Sequence, residues 1–262
     1  MTSFAVRVKS WDAGRERNAV RTQGYGFERV DSCLKCTWRR KGFFCDLAPG
    51  PLKALDAVTF TNVYPAKSVL FSEGQAARGA FVVCHGTAKL SISSNDGKTL
   101  ITRIAAPGEV LGLSGSISGN PYKTTAETLE TSQVNFVSRV ELLHLVETYH
   151  QASLSAGRTL ALECESHADH IRALELSHSA TERLASLILS WCPPDQQPCR
   201  GCRFPMLMTH EDLSQLIGSS RETVTRILKM FREKKLISIK GSTLTILNCD
   251  ALEGLAQDEQ PA

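Results

Sequence analysis

Three of the nine cysteines in this 262-residue chain fall within thirteen residues, Cys33-Leu-Lys-Cys36 followed by Cys45, in a C-x2-C-x8-C spacing. Two thiolates at C-x2-C reach one metal centre from a single turn. A third at x8 reaches it when the intervening segment loops back. Iron–sulfur clusters and zinc both accept such sets. A metal-free thiol sensor, or no function, stands beside them. A C-x2-C thiol oxidoreductase is a different class. Its motif should open a helix after a strand, whereas the residues before Cys33 are polar and lack strand patterning. Further along, Cys192, Cys199 and Cys202 form C-x6-C-x2-C in a Pro-rich loop. They can build a small zinc site with His210 as fourth ligand, although loops also vary freely. Cys249 stands alone in the sequence, with nothing to pair it.

A second chemistry lies between Thr209 and Phe231 (THEDLSQLIGSSRETVTRILKMF). Thr209 caps a first helix, with Asp212 three residues on in a box-like arrangement. Gly218 supplies a turn, and Ser220 caps a second helix whose inner face is Val224, Ile227, Leu228 and Phe231. Two short helices joined in this way make a helix-turn-helix. Arg221, Glu222, Thr225 and Arg226 are left facing outward at the start of the second helix, the part that enters the major groove in this motif. Arg pairs with guanine O6 and N7, and Glu accepts from the cytosine amino group. The plainer alternative is a solvated face with a Glu222–Arg226 pair at i, i+4. Leu236 to Ile246 turns at Lys240-Gly241 as a wing, where Lys240, Lys234 and Lys235 would meet phosphates.

These residues need scaffolds. The chain is 42% hydrophobic and 22% charged, as an ordinary globular protein is. Its net charge is +3, but residues 221–240 carry +5 and the remainder −2, so one local stripe is suited to a polyanion. No apolar run approaches the ~18–20 residues of a membrane helix, and the start lacks a signal-peptide layout. A cytoplasmic protein without membrane partners is expected, in which nine cysteines are not a disulfide framework. Residues 1–50 read as a tail with the cysteine-rich segment. Residues 51–140 carry short β-type runs with turn signals at Gly86, Asp96-Gly97 and Pro107-Gly108, as in a small roll or jelly roll. Residues 141–176 are helical. Leu160, Cys164, His167, Ile171 and Leu174 recur in steps of 4, 3, 4 and 3 there, a seam for a dimer contact. Residues 177–250 form the helix-turn-helix domain, and 251–262 a second tail. No Gly-rich phosphate loop or nucleophile elbow appears, so no enzyme is expected.

The order of roll, long helix and winged helix-turn-helix, with SRETVTRILKMF within it, resembles the Crp/Fnr family of bacterial transcription regulators over roughly residues 50–250. The resemblance implies an α+β fold: a cyclic-nucleotide-binding-type roll, a dimerisation helix and a DNA-binding winged helix. It also implies a homodimer on palindromic double-stranded DNA, with RNA polymerase as a further partner. Crp-type members read TGTGA-like half-sites through Arg, Glu and Arg, which match Arg221, Glu222 and Arg226.

Cyclic-nucleotide-binding members carry a Glu for the ribose and an Arg for the phosphate. Leu113 and Lys123 stand at those places, so cyclic AMP is not expected. Leu113 cannot accept from a ribose hydroxyl, and Lys123 lacks the bidentate fork. Fnr-type members hold an oxygen-labile [4Fe–4S] cluster on three N-terminal cysteines and one in the roll. The resemblance therefore implies a cluster on Cys33, Cys36 and Cys45, sensing oxygen, redox state or nitric oxide; the alternative is a regulator with structural zinc on these cysteines or an unknown small effector in the roll. The family's fourth cysteine position is held by Asn135. Cys84, in FVVCHG, is the best substitute, ahead of His85 and Asp46. Arg39, Arg40 and Lys41 would ease the cluster's charge, or form a solvated charge run.

Overall fold

The structure is a computed structural model that describes residues 26–27, 29–36, 44–176, 179–192, 199 and 201–257. These form two compact units. One comprises described residues up to Ile92 together with Ile104–Cys164, and the other Ser93–Arg103 together with Glu165 onward.

The first unit opens with a 3-10 turn at Cys33–Lys35 and the helix α1 (Pro49–Val58). The roll follows: β1 (Thr59–Tyr64), β2 (Val69–Phe71), β3 (Gly79–His85), β4 (Ala88–Ser93), β5 (Thr99–Ala105), β6 (Val110–Leu111), the short helix α2 (Leu113–Ser118), β7 (Thr125–Thr128) and β8 (Ser132–Ser138). Two four-stranded sheets result, ordered β1-β8-β3-β6 and β2-β7-β4-β5. Gly86 and Gly97 turn the chain at positive φ, as expected of those two positions.

The first sheet is covered on both faces. Phe81, Val83 and Val134 meet Phe71, Leu90 and Ala126 of the second sheet. On the opposite face Ala80, Val82 and Val137 pack with Leu52 and Leu55 of α1. Coverage on two sides explains why β3 reads as an unbroken apolar run rather than an alternating one. Helix α3 (Arg139–Thr148) follows β8, capped by Ser138. The chain breaks helical geometry at Tyr149 and resumes as α4 (His150–Leu176).

The second unit contains α5 (Ala180–Ser190), capped by Ser179, then β9 (Arg203–Pro205), α6 (His210–Leu216), α7 (Arg221–Glu233), β10 (Ile237–Lys240), β11 (Thr243–Ile246) and α8 (Cys249–Gln257). The strands pair in the order β10-β11-β9.

Several expectations need correction. The segment before residue 50 is not simply a tail. Phe44 and Leu47 are 2% and 1% exposed in the core with Leu52 and Leu55, and Phe27 is buried with its ring stacked on His85 at 4.0 Å. Residues 1–25 lie outside the described residues. The second tail is in part helix α8, whose Leu252 is fully buried. An apolar run of Cys249, Leu252 and Leu255 was too short to register as a helix without its packing partner. β9 was also missed, because three residues carry no period.

Candidate cysteine site and nucleic-acid interface

Cys33, Cys36 and Cys45 line one cavity in the first unit together with Cys84, which is far from them in the chain. It encloses about 510 Å³, part of it open to solvent, with Phe44, Leu52, Leu55, Val82 and Val137 as apolar wall. Three devices bring the four thiols there, Cys33 and Cys36 sharing one. The 3-10 turn begins at Ser32, whose side chain accepts from Leu34 N–H. The turn is fastened to α1 by Asp56, whose carboxylate accepts from Cys33 N–H at 2.5 Å and Ser32 O–H at 2.8 Å. Cys45 is carried between the buried anchors Phe44 and Leu47. Just beyond it, Gln151 of α4 accepts from Ala48 N–H at 2.9 Å and donates to the Asp46 carbonyl at 3.4 Å. Upstream, Val30 exchanges two hydrogen bonds with the Gln133 amide, at 3.0 and 2.6 Å.

Cys84 lies where the β3–β8 register slips. Val83 pairs with Val134 and His85 with Gln133, leaving Cys84 as an extra residue. Such bulges re-aim side chains next to functional sites. Asn135 is opposite Val82 on the neighbouring strand, so it shares the cavity with Cys84. Its Nδ2–H donates to Cys33 Sγ at 3.4 Å, while Thr61 O–H donates to its Oδ1 at 2.9 Å and fixes the amide's orientation. The position that carries a thiol in Fnr-type members here carries a hydrogen-bond donor to one. Asp56, Asn135 and Gln151 were not read as supports for the site. Their contacts link residues 23 to 105 apart, and no local spacing encodes them.

Burial pushes the Cys33 thiol up to about 12, reinforced by the charges of Asp56, Cys45 and Cys36. Burial also raises the Cys84 thiol, followed by the charges of Cys33, Cys45 and Cys36. A cation at the cavity would reverse this for Cys33 and Cys84, because coordination deprotonates a thiol outright. The same shifts argue against the oxidoreductase, since a redox-active C-x2-C needs a depressed thiol pKa. Tetrahedral zinc, with Zn–S near 2.3 Å, places its sulfurs only about 3.8 Å apart. Among the described residues, no three of these thiols lie within 4.8 Å of one another. His85 stacks on Phe27 and Asp46 offers its carbonyl to Gln151; neither lines the cavity. Arg39, Arg40 and Lys41 lie outside the described residues.

In the second unit the capping box is complete. Thr209 Oγ1 accepts from Asp212 N–H at 3.1 Å, and the Asp212 carboxylate accepts from Thr209 N–H at 2.8 Å. Gly218 makes the turn at φ +58, and Ser220 Oγ accepts from Thr223 N–H at 3.1 Å to start α7. Val224, Ile227, Leu228 and Phe231 are buried, which leaves Arg221, Glu222, Thr225 and Arg226 exposed on one face. Glu222's own backbone N–H holds its carboxyl below the ordinary range, aided by Ser220 and Arg221. Thr225 is less free than a base reader should be. Its hydroxyl donates to the Arg221 carbonyl at 2.9 Å and meets His210 Nδ1 at 2.8 Å. His210 is thus a brace between α6 and α7. Lys240 is exposed at the wing turn, where it pairs with Thr243 across Gly241.

The five seam residues on α4 do not share one environment. Leu160 packs partly buried against the roll's helical core. Leu174 reaches the helix-turn-helix turn, where a Cβ on Gly218 would meet its Cδ2 at 3.1 Å. Cys164, His167 and Ile171 are exposed, Ile171 by 60%. A run of exposed small and apolar residues, Leu154, Gly157, Ala161, Cys164, Ala168 and Ile171, recurs in steps of 3, 4, 3, 4 and 3 and shares Cys164 and Ile171 with the expected seam, while Leu162 and Leu176 are exposed outside it.

Residues 61–149 match the cyclic nucleotide-binding domain, and residues 182–255 match the Crp-like helix-turn-helix domain. The chain belongs to the Crp/Fnr family. It is 24% identical over 184 residues to the cAMP-activated global transcriptional regulator CRP of Haemophilus influenzae, covering 70% of this chain and 82% of that one. To the fumarate and nitrate reduction regulatory protein of Yersinia pestis it is 28% identical over 193 residues, covering 73% and 76%. Its fold is like that of FixK2 from Bradyrhizobium japonicum, with a TM-score of 0.66, 22% identity and coverage of 78% of this chain and all of that one. This Crp/Fnr protein is therefore a DNA-binding transcription regulator of a family that is not enzymatic, with the roll, long helix and winged helix-turn-helix that its sequence led us to expect. No helix among the described residues is long and apolar enough to cross a membrane.

Proposed function

We propose that this regulator senses oxygen, redox state or nitric oxide through a [4Fe–4S] cluster held by Cys33, Cys36, Cys45 and Cys84, and reads TGTGA-like half-sites as a homodimer. The observation that carries the reading is the convergence of these four thiols on one cavity. When bound, such a cluster supplies a centre that oxygen or nitric oxide dismantles, with a potential tuned by hydrogen bonds to its sulfurs. Asn135 is the residue that offers such a bond, and the apolar wall limits water at the sulfurs.

The chain's own contacts link the site to the long helix. Cys45 is flanked by Phe44, which shares a core with Ala152 and Ala156 of α4, and by Asp46, which is bonded to Gln151 of α4. Ligation at Cys45 fixes this inner face of α4. The outer stripe from Leu154 to Ile171 is offered to a second copy. Biasing that seam sets the spacing of two recognition helices, which must fall one DNA turn apart. Arg221, Glu222 and Arg226 read bases from there, and Ser220 and Lys240 meet phosphates. Contact with RNA polymerase would follow from the family's mode of action. Cyclic AMP is not the ligand in this reading. Leu113 is fully buried and offers no acceptor, and Lys123 points to solvent.

The test is iron, zinc and acid-labile sulfide on protein purified without oxygen, with visible spectra before and after air. About four iron and four sulfide per chain are expected, with an air-bleached band that is absent from Cys84→Ser. DNA affinity should change with the bleaching. Stoichiometric zinc at these four cysteines, without colour, would overturn the cluster.

A further inference from the structure

The second set of cysteines gathers in three dimensions, and Cys249 joins it. Cys192 follows α5, Cys199 and Cys202 bracket the turn into β9, and Cys249 is the first residue of α8. Cys199 and Cys249 are bonded as a disulfide, with Cα atoms 5.7 Å apart. Cys192 and Cys202 are thiols whose side chains are hydrogen-bonded to each other, and Cys192 Sγ lies 3.9 Å from the Cys199 carbonyl. Cys199, Cys202 and Cys249 are all buried. The turn is held in place by Gly201, at φ +83, which donates to the Ile246 carbonyl at 2.8 Å, and by Ile246 N–H, which donates to the Cys202 carbonyl at 3.0 Å. Glu253 offers a carboxylate oxygen within 4.8 Å of both the Cys199 and Cys249 sulfurs, with Oε1 3.4 Å from Cys249 Sγ.

We infer that Cys192, Cys199, Cys202 and Cys249 form a second metal site, a closed tetrathiolate for zinc within the DNA-binding unit. Four cysteines from three elements, mostly buried and with a C-x2-C turn among them, are the donor set of a structural zinc site. The disulfide is the oxidised, metal-free form of the same set. To open it, a small dithiol gives two electrons and two protons. The Cys199–Cys249 bond becomes two thiols and the dithiol closes into its own disulfide. Zinc then binds the four sulfurs and releases their protons. The ion would fasten the end of α5, the start of α8 and the edge strand of the wing sheet to one point.

The test uses the full chain after reduction with dithiothreitol under argon. Zinc is added, and N-ethylmaleimide labelling is read peptide by peptide, with and without a chelator. All four cysteines should be protected by zinc and released together by the chelator. Labelling at the four that is indifferent to zinc would overturn the site, and it is read on the unmutated protein. The zinc content of variants gives the ligand set. With the first site disabled by Cys36→Ser and Cys45→Ser, one zinc per chain should remain, and Cys202→Ser should remove it. Glu253→Gln should leave it at one. Loss of zinc in Glu253→Gln would make the carboxylate a ligand and overturn the tetrathiolate.

Discussion

Replacing Asp56 by Ala tests the N-terminal site without touching any of its four thiols. The Asp56 carboxylate holds Cys33 N–H at 2.5 Å and Ser32 O–H at 2.8 Å. A hydrogen bond to a charged partner contributes about 1.5–3 kcal/mol net. Asp56 is half-buried, so the lower end applies, and the pair fastens the turn by about 3 kcal/mol. Without it, ligation itself must order the turn, so iron retention should weaken by roughly 100-fold, at 1.4 kcal/mol per decade. One effect opposes this. The Asp56 charge also raises the Cys33 thiol, and its loss eases ionisation. Asp56→Asn separates the two, because it keeps an acceptor and removes the charge; it should hold iron far better than Asp56→Ala. The assay is the anaerobic rate of iron transfer to a chelator, followed in the visible band, with circular dichroism to confirm the fold. A folded Asp56→Ala that loses iron at the unmutated rate would refute the positioning role, and with it the placement of Cys33 as a ligand.

Arg221→Ala should cost about 1–3 kcal/mol at the guanine it reads and relax specificity there; equal losses across all base variants of the site would contradict base reading. Ile171→Glu puts a charge on the exposed stripe of α4, and sedimentation should show a shift towards monomer, whereas Leu160→Ala should lower the melting temperature instead, because Leu160 packs inward. His170 is 5% exposed, and neither ring nitrogen has a hydrogen-bond partner among the described residues. Burial, and then His167, lowers its pKa below the ordinary 6.5. As pH falls through 6.5 the unfolded chain takes up a proton that the folded chain refuses, so stability present above that pH is lost below it. His170→Leu should flatten this acid limb and add about 1–2 kcal/mol at neutral pH by removing an unsatisfied buried group; melting curves between pH 5 and 8 read both.

The helix-turn-helix was legible almost residue by residue. Its signals are local: a cap at Thr209, its box partner Asp212, a Gly turn and a second cap at Ser220 all act within a few residues of one another. The turns at Gly86 and Gly97 were legible for the same reason. The expected seam on α4 divides between two faces: Cys164, His167 and Ile171 are exposed, while Leu160 and Leu174 are partly buried. Heptad counting cannot tell which of two apolar stripes faces the chain's own core, and α4 has both. Leu160 and Leu174 belong to the inner stripe, and Leu154, Ala161 and Ile171 to the outer one.

The chain alone determined residue types and short spacings: the C-x2-C turn and the outward Arg221-Glu222-x3-Arg226 face. Tertiary structure decided which distant residues meet. A bulge in β3 turns Cys84 towards Cys33, and Asn135, on the neighbouring strand, becomes a donor to the Cys33 sulfur. Asp56 holds the cysteine turn from α1, and Cys249 finds Cys199 fifty residues away. Sequence spacing reports chemistry reachable within a turn or two of backbone, whereas these partners are neighbours only because sheet pairing and helix packing fold the chain back on itself.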